Sequence, residues 1–224
     1  MVMARRLGLA LALVAGAALV TALLFAPARA AEVVKGSNIL ALQLAHGDGD
    51  FVSPETGDGV ISAFDHTEWG GQIQFQHLLS DKWALALSGG IGTFSETNKY
   101  GYNFDPPGSP DGEYTQSSWN IRIGADRFVH LSPDFHLFVG PGIEYWSGDA
   151  KYDFPAEPFV AETGTTTRVS LTGRVGANVG LSSALALTGY IGGYVGTASA
   201  DQAGAEASWT PSGNQAAVGL AFGF

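Results

Sequence analysis

The sequence predicts an all-β fold: a closed, eight-stranded, antiparallel, up-and-down transmembrane β-barrel. Three observations carry this expectation. Apolar residues alternate with small or polar ones over most of the chain, tight turns alternate with long connections, and the chain closes on "VGLAFGF", residues 218–224. Period two is the signature of strands, and an apolar ending is unusual in a soluble domain, whose termini fray in water. Composition points the same way. Only 14% of the 224 residues are charged, against about 25% in soluble domains, and 31 are Gly.

The first thirty residues stand apart. "MVMARR" supplies a basic n-region, "LGLALALVAGAALVTALLFA" an apolar run, and "APARA" a small-residue cleavage signal with Ala28 and Ala30 at the required spacing. Residues 1–30 therefore read as a secretory signal cleaved before Ala31, leaving one barrel domain over residues 31–224. The apolar run is longer than a usual h-region, so an uncleaved anchor is the alternative. Every later apolar stretch is broken by Gly, Gln, Ser or charge before it could span as a helix. The absence of Cys removes disulfides, thiolate metal sites and Cys nucleophiles from consideration.

The strands follow in order. The first is read near residues 37–46. In the second, near 68–80, Trp69, Gly71, Ile73, Phe75, His77 and Leu79 interleave with Gln72, Gln74 and Gln76. The fourth, near 117–131, sets Trp119, Ile121, Ile123 and Ala125 against Asn120, Arg122, Gly124 and Asp126. The third (83–95), fifth (135–147) and seventh (185–197) share a repeat: "LSDKWALALSGGIG" from Leu79, "LSPDFHLFVGPGIE" from Leu131 and "LSSALALTGYIGG" from Leu181. Each copy opens on Leu-Ser and a turn, then runs into an alternating apolar segment. The starts lie 52 and 50 residues apart, the period of a hairpin repeat rather than a helical one. The sixth and eighth strands, near 166–181 and 214–224, complete an even number.

Tight turns at 81–82, 132–134 and 182–184 alternate with long loops at 47–67, 96–116, 148–165 and 198–213. This asymmetry is that of a bacterial outer-membrane barrel, with short periplasmic turns, long extracellular loops and both termini in the periplasm. Apolar faces then meet lipid, and faces carrying Gln, Asn, Arg and Gly line the interior, the reverse of a soluble barrel. The ten-residue rise from Phe135 to Tyr145 covers about 33 Å along a strand, and a tilt near 40° projects it to about 25 Å, the height of the apolar band. Aromatic girdles are expected from Trp83, Phe135 and Phe224 on the short-turn side and Trp69, Trp119 and Tyr145 on the long-loop side. A soluble β-sandwich core is the competing reading of these aromatics, and it would leave the Gln and Arg faces to solvent.

In the last strand Val218, Leu220, Phe222 and Phe224 are expected to face lipid, with Gln215, Ala217, Gly219, Ala221 and Gly223 inside. The terminal "GLAFGF" and the segment "FVGPGIEYW" at 138–146 resemble the small eight-stranded outer-membrane barrels of Gram-negative bacteria, the OmpA-, OmpX- and OmpW-like group, over essentially the whole mature chain. That resemblance implies that Gly219, Phe222 and Phe224 act as the signal recognised by the barrel-assembly machinery. One departure is Ala217, where the family's pattern carries a polar residue.

Arg122 and Glu144 face inward on the fourth and fifth strands. A turn pairing Leu131 with Phe135 places them directly opposite, with Arg174 at a similar height on the sixth strand. An interior ion-pair cluster of Arg122, Glu144 and Arg174 is expected, closing a lumen that eight strands leave just wide enough for side chains; a selectivity filter is the alternative.

No catalytic site is expected. "HLS" at His130–Ser132 is similar in spacing to the His and Ser of an outer-membrane lipid A deacylase of similar barrel form. The Leu-Ser pair recurs at all three tight turns, however, so Ser132 reads as a turn residue, and its place at the periplasmic edge lies away from the outer leaflet. His46 and His66 share the first loop with several Asp residues, without nucleophile spacing.

The loops hold 15 of the 21 acidic residues, five of them in the first (Asp48, Asp50, Glu55, Asp58 and Asp65). Their sign disfavours nucleic acid. "GDGDF" at 47–51 lacks a full calcium ligand loop, so neither a metal nor a cofactor is assigned. Loop aromatics such as Phe51, Phe64, Tyr100 and Tyr152 offer a contact surface or pack the loops together. The functional expectation is a structural or surface-interaction protein of the outer membrane, surrounded by lipid and lipopolysaccharide, with an extracellular protein as a loop partner. A narrow channel for small or apolar solutes, with a lateral opening lined by Leu and Phe, is the alternative; a lipid A-modifying enzyme is the weaker one.

Overall fold

Eight long strands close on themselves. In the computed structural model, which describes residues 35–54, 61–98, 112–154, 159–162, 165–182, 184–202 and 205–224, they are β1 (Asn38–Pro54), β2 (Ile61–Ser80), β3 (Trp83–Asn98), β4 (Gly112–Ser132), β5 (Phe135–Phe154), β7 (Thr166–Gly180), β8 (Leu185–Gln202) and β10 (Ser212–Gly223). Two short strands, β6 (Phe159–Glu162) and β9 (Ala205–Trp209), pair with the far ends of β5 and β8. Sequence neighbours among the eight pair antiparallel, and β10 returns to β1. Closure matters because hydrocarbon offers no hydrogen bonds to a free strand edge.

The wall is staggered. Cross-strand partners followed once round, from Leu185 through Phe222, Leu40, Phe75, Leu87, Ile123, Ile143 and Leu171, return to β8 at Val195, ten residues further along. For eight strands about 4.8 Å apart that rise about 3.3 Å per residue, this stagger sets a tilt of about 40°. The same geometry puts Trp83, Phe135 and Phe224 near one level and Trp69, Trp119 and Tyr145 near a second, about 25 Å away. Between them the outer face is a belt of exposed Leu, Ile and Val, including Leu87, Ile123, Ile143 and Leu171. An apolar band of that height on a closed barrel is a lipid-facing surface.

The Leu-Ser repeat acquires a physical meaning. Ser80 pairs with Trp83 across a shift that leaves Leu79 as a bulge, and Ser132 pairs with Phe135 across the same shift at Leu131. The expected Leu131–Phe135 pairing is thus replaced by a bulge next to a tight turn, while the register above it, including Arg122 opposite Glu144, is unchanged. The Ser80 hydroxyl accepts the amides of Lys82 and Trp83 at 3.3 and 3.1 Å, and Ser182 accepts that of Ala184 at 3.4 Å.

The long connections differ from the loops expected. β1 and β2 stay paired out to Pro54 opposite Ile61, and β3 and β4 out to Asn98 opposite Gly112. Continued pairing satisfies backbone donors and acceptors above the band, and Gly, Asp and Pro in these stretches disguise it at the sequence level. The leader expected over residues 1–30 lies outside the described residues, as do most acidic-loop side chains.

Candidate functional site: the charged lumen

Each inward strand face contributes several side chains to the lumen. At the short-turn end Leu78, Phe128 and Phe138 are almost fully buried, with the Phe128 and Phe138 rings 5.9 Å apart. Small Ala84 and Ala186 complete this shelf. Above it lies the first ion pair. Arg174 Nη2 meets Asp126 Oδ2 at 2.5 Å, Nε reaches Oδ1 at 3.1 Å, and Nη1 donates to Gln74 Oε1 at 2.7 Å. Gln76 donates a further bond to Asp126, and the Arg174 guanidinium stands 5.5 and 5.2 Å from the Phe138 and Tyr190 rings. Tyr190 in turn donates to Gln72 at 2.7 Å.

A second ion pair lies toward the long-connection end. Arg168 Nη2 contacts Glu144 Oε1 at 2.9 Å, and Gln215 donates to both Glu144 oxygens at 3.1 and 3.2 Å. Arg168 stacks 3.8 Å above Tyr194 and 5.2 Å from Trp146. Both pairs are at least 96% buried, so each depends on its partner for compensation.

Arg122, Glu144 and Arg174 are therefore all buried inside the barrel, but their ion pairs run to other residues. Glu144 belongs to Arg168 and Arg174 to Asp126, while Arg122 donates from Nε to Thr172 Oγ1 at 2.9 Å and from Nη2 to the Gly140 carbonyl at 3.2 Å. Asp126 and Arg168 are the partners that sequence reasoning passed over. Their signal was present: Asp126 shares the inward phase of Arg122, and Arg168 that of Arg174.

"GPG" at 140–142 explains why Arg122 turns away from Glu144. Pro141 has no N–H, and the β4–β5 ladder is interrupted between the pairs Gly124–Gly142 and Arg127–Val139. The Gly140 carbonyl at this gap is the one that accepts Arg122. A Cβ on Gly142 would stand 2.7 Å from the Arg122 Cζ, and one on Gly124 2.9 Å from Nη1, so the guanidinium lies in a niche that two facing glycines leave open.

The wall carries the remaining expected residues. Trp69, Trp83, Trp119 and Tyr145 are exposed on the outer face and Phe135 is half-buried. At the seam, Phe224 and Asn38 exchange backbone bonds of 2.8 and 2.9 Å, Phe222 is half-buried and Phe224 is exposed. Gly219 approaches the Leu42 and Gln43 backbone so closely that a side chain would not fit. On the outer wall of β7, β8 and β10, Ala177, Gly189 and Ala216 floor an apolar groove of about 690 Å³ rimmed by Leu44, Trp69, Val175 and Ile191. The strands beneath it are paired throughout. His130 has both ring nitrogens engaged, by His136 and the Asp81 carbonyl.

A closed eight-stranded wall, an apolar outer belt and a polar, side-chain-filled interior decide the architecture. The fold is that of the small eight-stranded outer-membrane β-barrels. Among solved structures, this barrel is similar to the outer membrane protein OprG from Pseudomonas aeruginosa, with a TM-score of 0.58 at 14% identity over 87% of this chain and 99% of that one. Ail, the attachment invasion locus protein of Yersinia pestis, is similar at a TM-score of 0.47 and 10% identity, over 85% of this chain and 100% of that one. The outer membrane protein AlkL in lipid bilayers gives a TM-score of 0.44 at 13% identity, over 88% of this chain and 94% of that one. No protein-family model and no curated protein matches the chain.

Proposed function

We propose that the chain is an integral outer-membrane protein whose barrel is a sealed anchor and whose role, structural or in surface contact, lies at its acidic extracellular end. The observation that carries this reading is the Arg174–Asp126 pair above the Phe128–Phe138 shelf, which ties β4 and β7 across the lumen to Gln74 and Gln76 of β2 through buried side chains. A path for ions would have to break a desolvated, multiply bonded pair and displace two aromatic rings. The continuous pairing under the outer groove argues against a lateral exit there. A catalytic role for His130 with Ser132 finds no support, since a general base needs a free nitrogen aimed at its nucleophile. Lipid and lipopolysaccharide surround the belt in this reading, the leader directs export, and Gly219, Phe222 and Phe224 present the assembly signal.

Planar-bilayer recording on the refolded barrel tests the sealed state. Wild type is expected to be silent, and an Asp126→Ala, Arg174→Ala, Phe138→Ala variant to pass current. Steady current through wild type would overturn the sealed reading in favour of a narrow channel.

A further inference from the structure

A pair of histidines hangs below the shelf. His130 on β4 and His136 on β5 are direct cross-strand partners, one register step beyond Val129–Leu137 and two beyond Phe128–Phe138. Their Nδ1 atoms are 2.9 Å apart and the rings stand nearly perpendicular, at 81°. His130 is exposed at the short-turn mouth, whereas His136 is 8% exposed. The bulge at Leu131, next to His130, anchors this corner of the hairpin.

The hydrogen bonding fixes the tautomer of His130. Its Nε2 is 2.5 Å from the Asp81 carbonyl oxygen, which can only accept, so Nε2 carries the proton. In the neutral ring Nδ1 is then a bare lone pair aimed at His136. A second ring nitrogen donating to a backbone carbonyl is the arrangement that orients metal-ligating imidazoles and raises their basicity.

We propose that His130 and His136 form a two-imidazole site for a divalent transition-metal ion, Cu(II) or Ni(II), at the periplasmic mouth of the barrel. The spacing suits this ion once the two rings turn their Nδ1 lone pairs from one another toward a common centre. Two nitrogens 2.9 Å apart, each about 2.0–2.1 Å from one metal, subtend about 90° there. That is the cis angle of square-planar or octahedral coordination, whereas a tetrahedral zinc angle needs a separation of about 3.3 Å. The ion takes both Nδ1 lone pairs: His130 already holds its proton on Nε2, and the His136 proton moves from Nδ1 to Nε2, so two neutral rings bind the metal without net proton release. Among the described residues no group of three His, Cys, Asp or Glu converges, so water reaching the exposed His130 completes the coordination sphere. The metal staples β4 to β5 directly beneath the aromatic shelf.

The test is Cu(II) titration of the refolded barrel, prepared without a histidine tag, followed by calorimetry and by electron paramagnetic resonance for nitrogen couplings. One Cu(II) per chain with two imidazole nitrogens is expected, together with a rise in unfolding temperature. His130→Gln and His136→Gln should each weaken binding by at least about tenfold, while His46→Gln and His77→Gln leave it unchanged. Because His130 is exposed, its variant tests the proposal even if the His136 variant folds poorly. Equal affinity in wild type and His130→Gln, or no stoichiometric binding by wild type, overturns the proposal.

Discussion

Arg174 and Asp126, from strands on different sides of the β5 wall, meet through two parallel contacts of 2.5 and 3.1 Å in the middle of the lumen. Gln74 and Gln76 occupy further donor and acceptor positions of the pair, and Phe138 and Tyr190 flank the guanidinium. Such a pair resists disruption chiefly because either partner alone would be a buried, uncompensated charge.

Asp126→Ala is therefore expected to cost about 3–5 kcal/mol of unfolding free energy, measured by denaturant titration of the barrel in lipid vesicles. Replacing both partners together, Asp126→Leu with Arg174→Met, should cost distinctly less. Equal losses would show that packing rather than charge compensation holds this level.

The glycine niche predicts a coupling. Gly142→Ala places a methyl 2.7 Å from the Arg122 Cζ and should destabilise by about 1–3 kcal/mol. In an Arg122→Ala background most of that loss should vanish, leaving a coupling of at least about 0.5 kcal/mol in a double-mutant cycle. Additive losses would remove Arg122 as the occupant that requires Gly142.

Depth in the membrane is open to the same kind of measurement. Leu87 lies near the midplane between the two aromatic levels and Leu79 near the lower one, and both are exposed. Leu87→Arg should cost about 2–4 kcal/mol and Leu79→Arg about 0–1 kcal/mol, because the penalty for a lipid-facing cation falls toward the interface. A reversed order would shift the assigned band.

At the seam, the exposed Phe224 ring adds little packing to the finished barrel, while its backbone closes the ladder to Asn38. Phe224→Ala should leave refolding in vitro nearly unchanged and reduce the heat-modifiable, folded fraction in cell outer membranes. Loss of refolding in vitro as well would make the residue a stability element rather than an assembly signal.

The sequence by itself determined the strand count, the face each residue presents and the register of the β4–β5 hairpin. Local rules suffice for these: period two assigns side chains to lipid or lumen, and a tight turn between Leu131 and Phe135 sets which residues stand opposite higher up, although Leu131 itself is bulged and Phe135 pairs with Ser132. Arg122 opposite Glu144 was legible for that reason. Only the tertiary structure decided which charges meet. Asp126 and Arg174 lie 48 residues apart in the chain and on strands that are not neighbours, and they meet across β5 at Gly140, the register partner of Arg174, where the absent side chain leaves room for the Asp126 carboxylate. The diversion of Arg122 was equally hidden, because it follows from a missing N–H at Pro141 and the absent side chains of Gly124 and Gly142, features that act only once two strands are side by side. Alternation is a property of one strand; the pairing of buried charges is a property of the whole barrel.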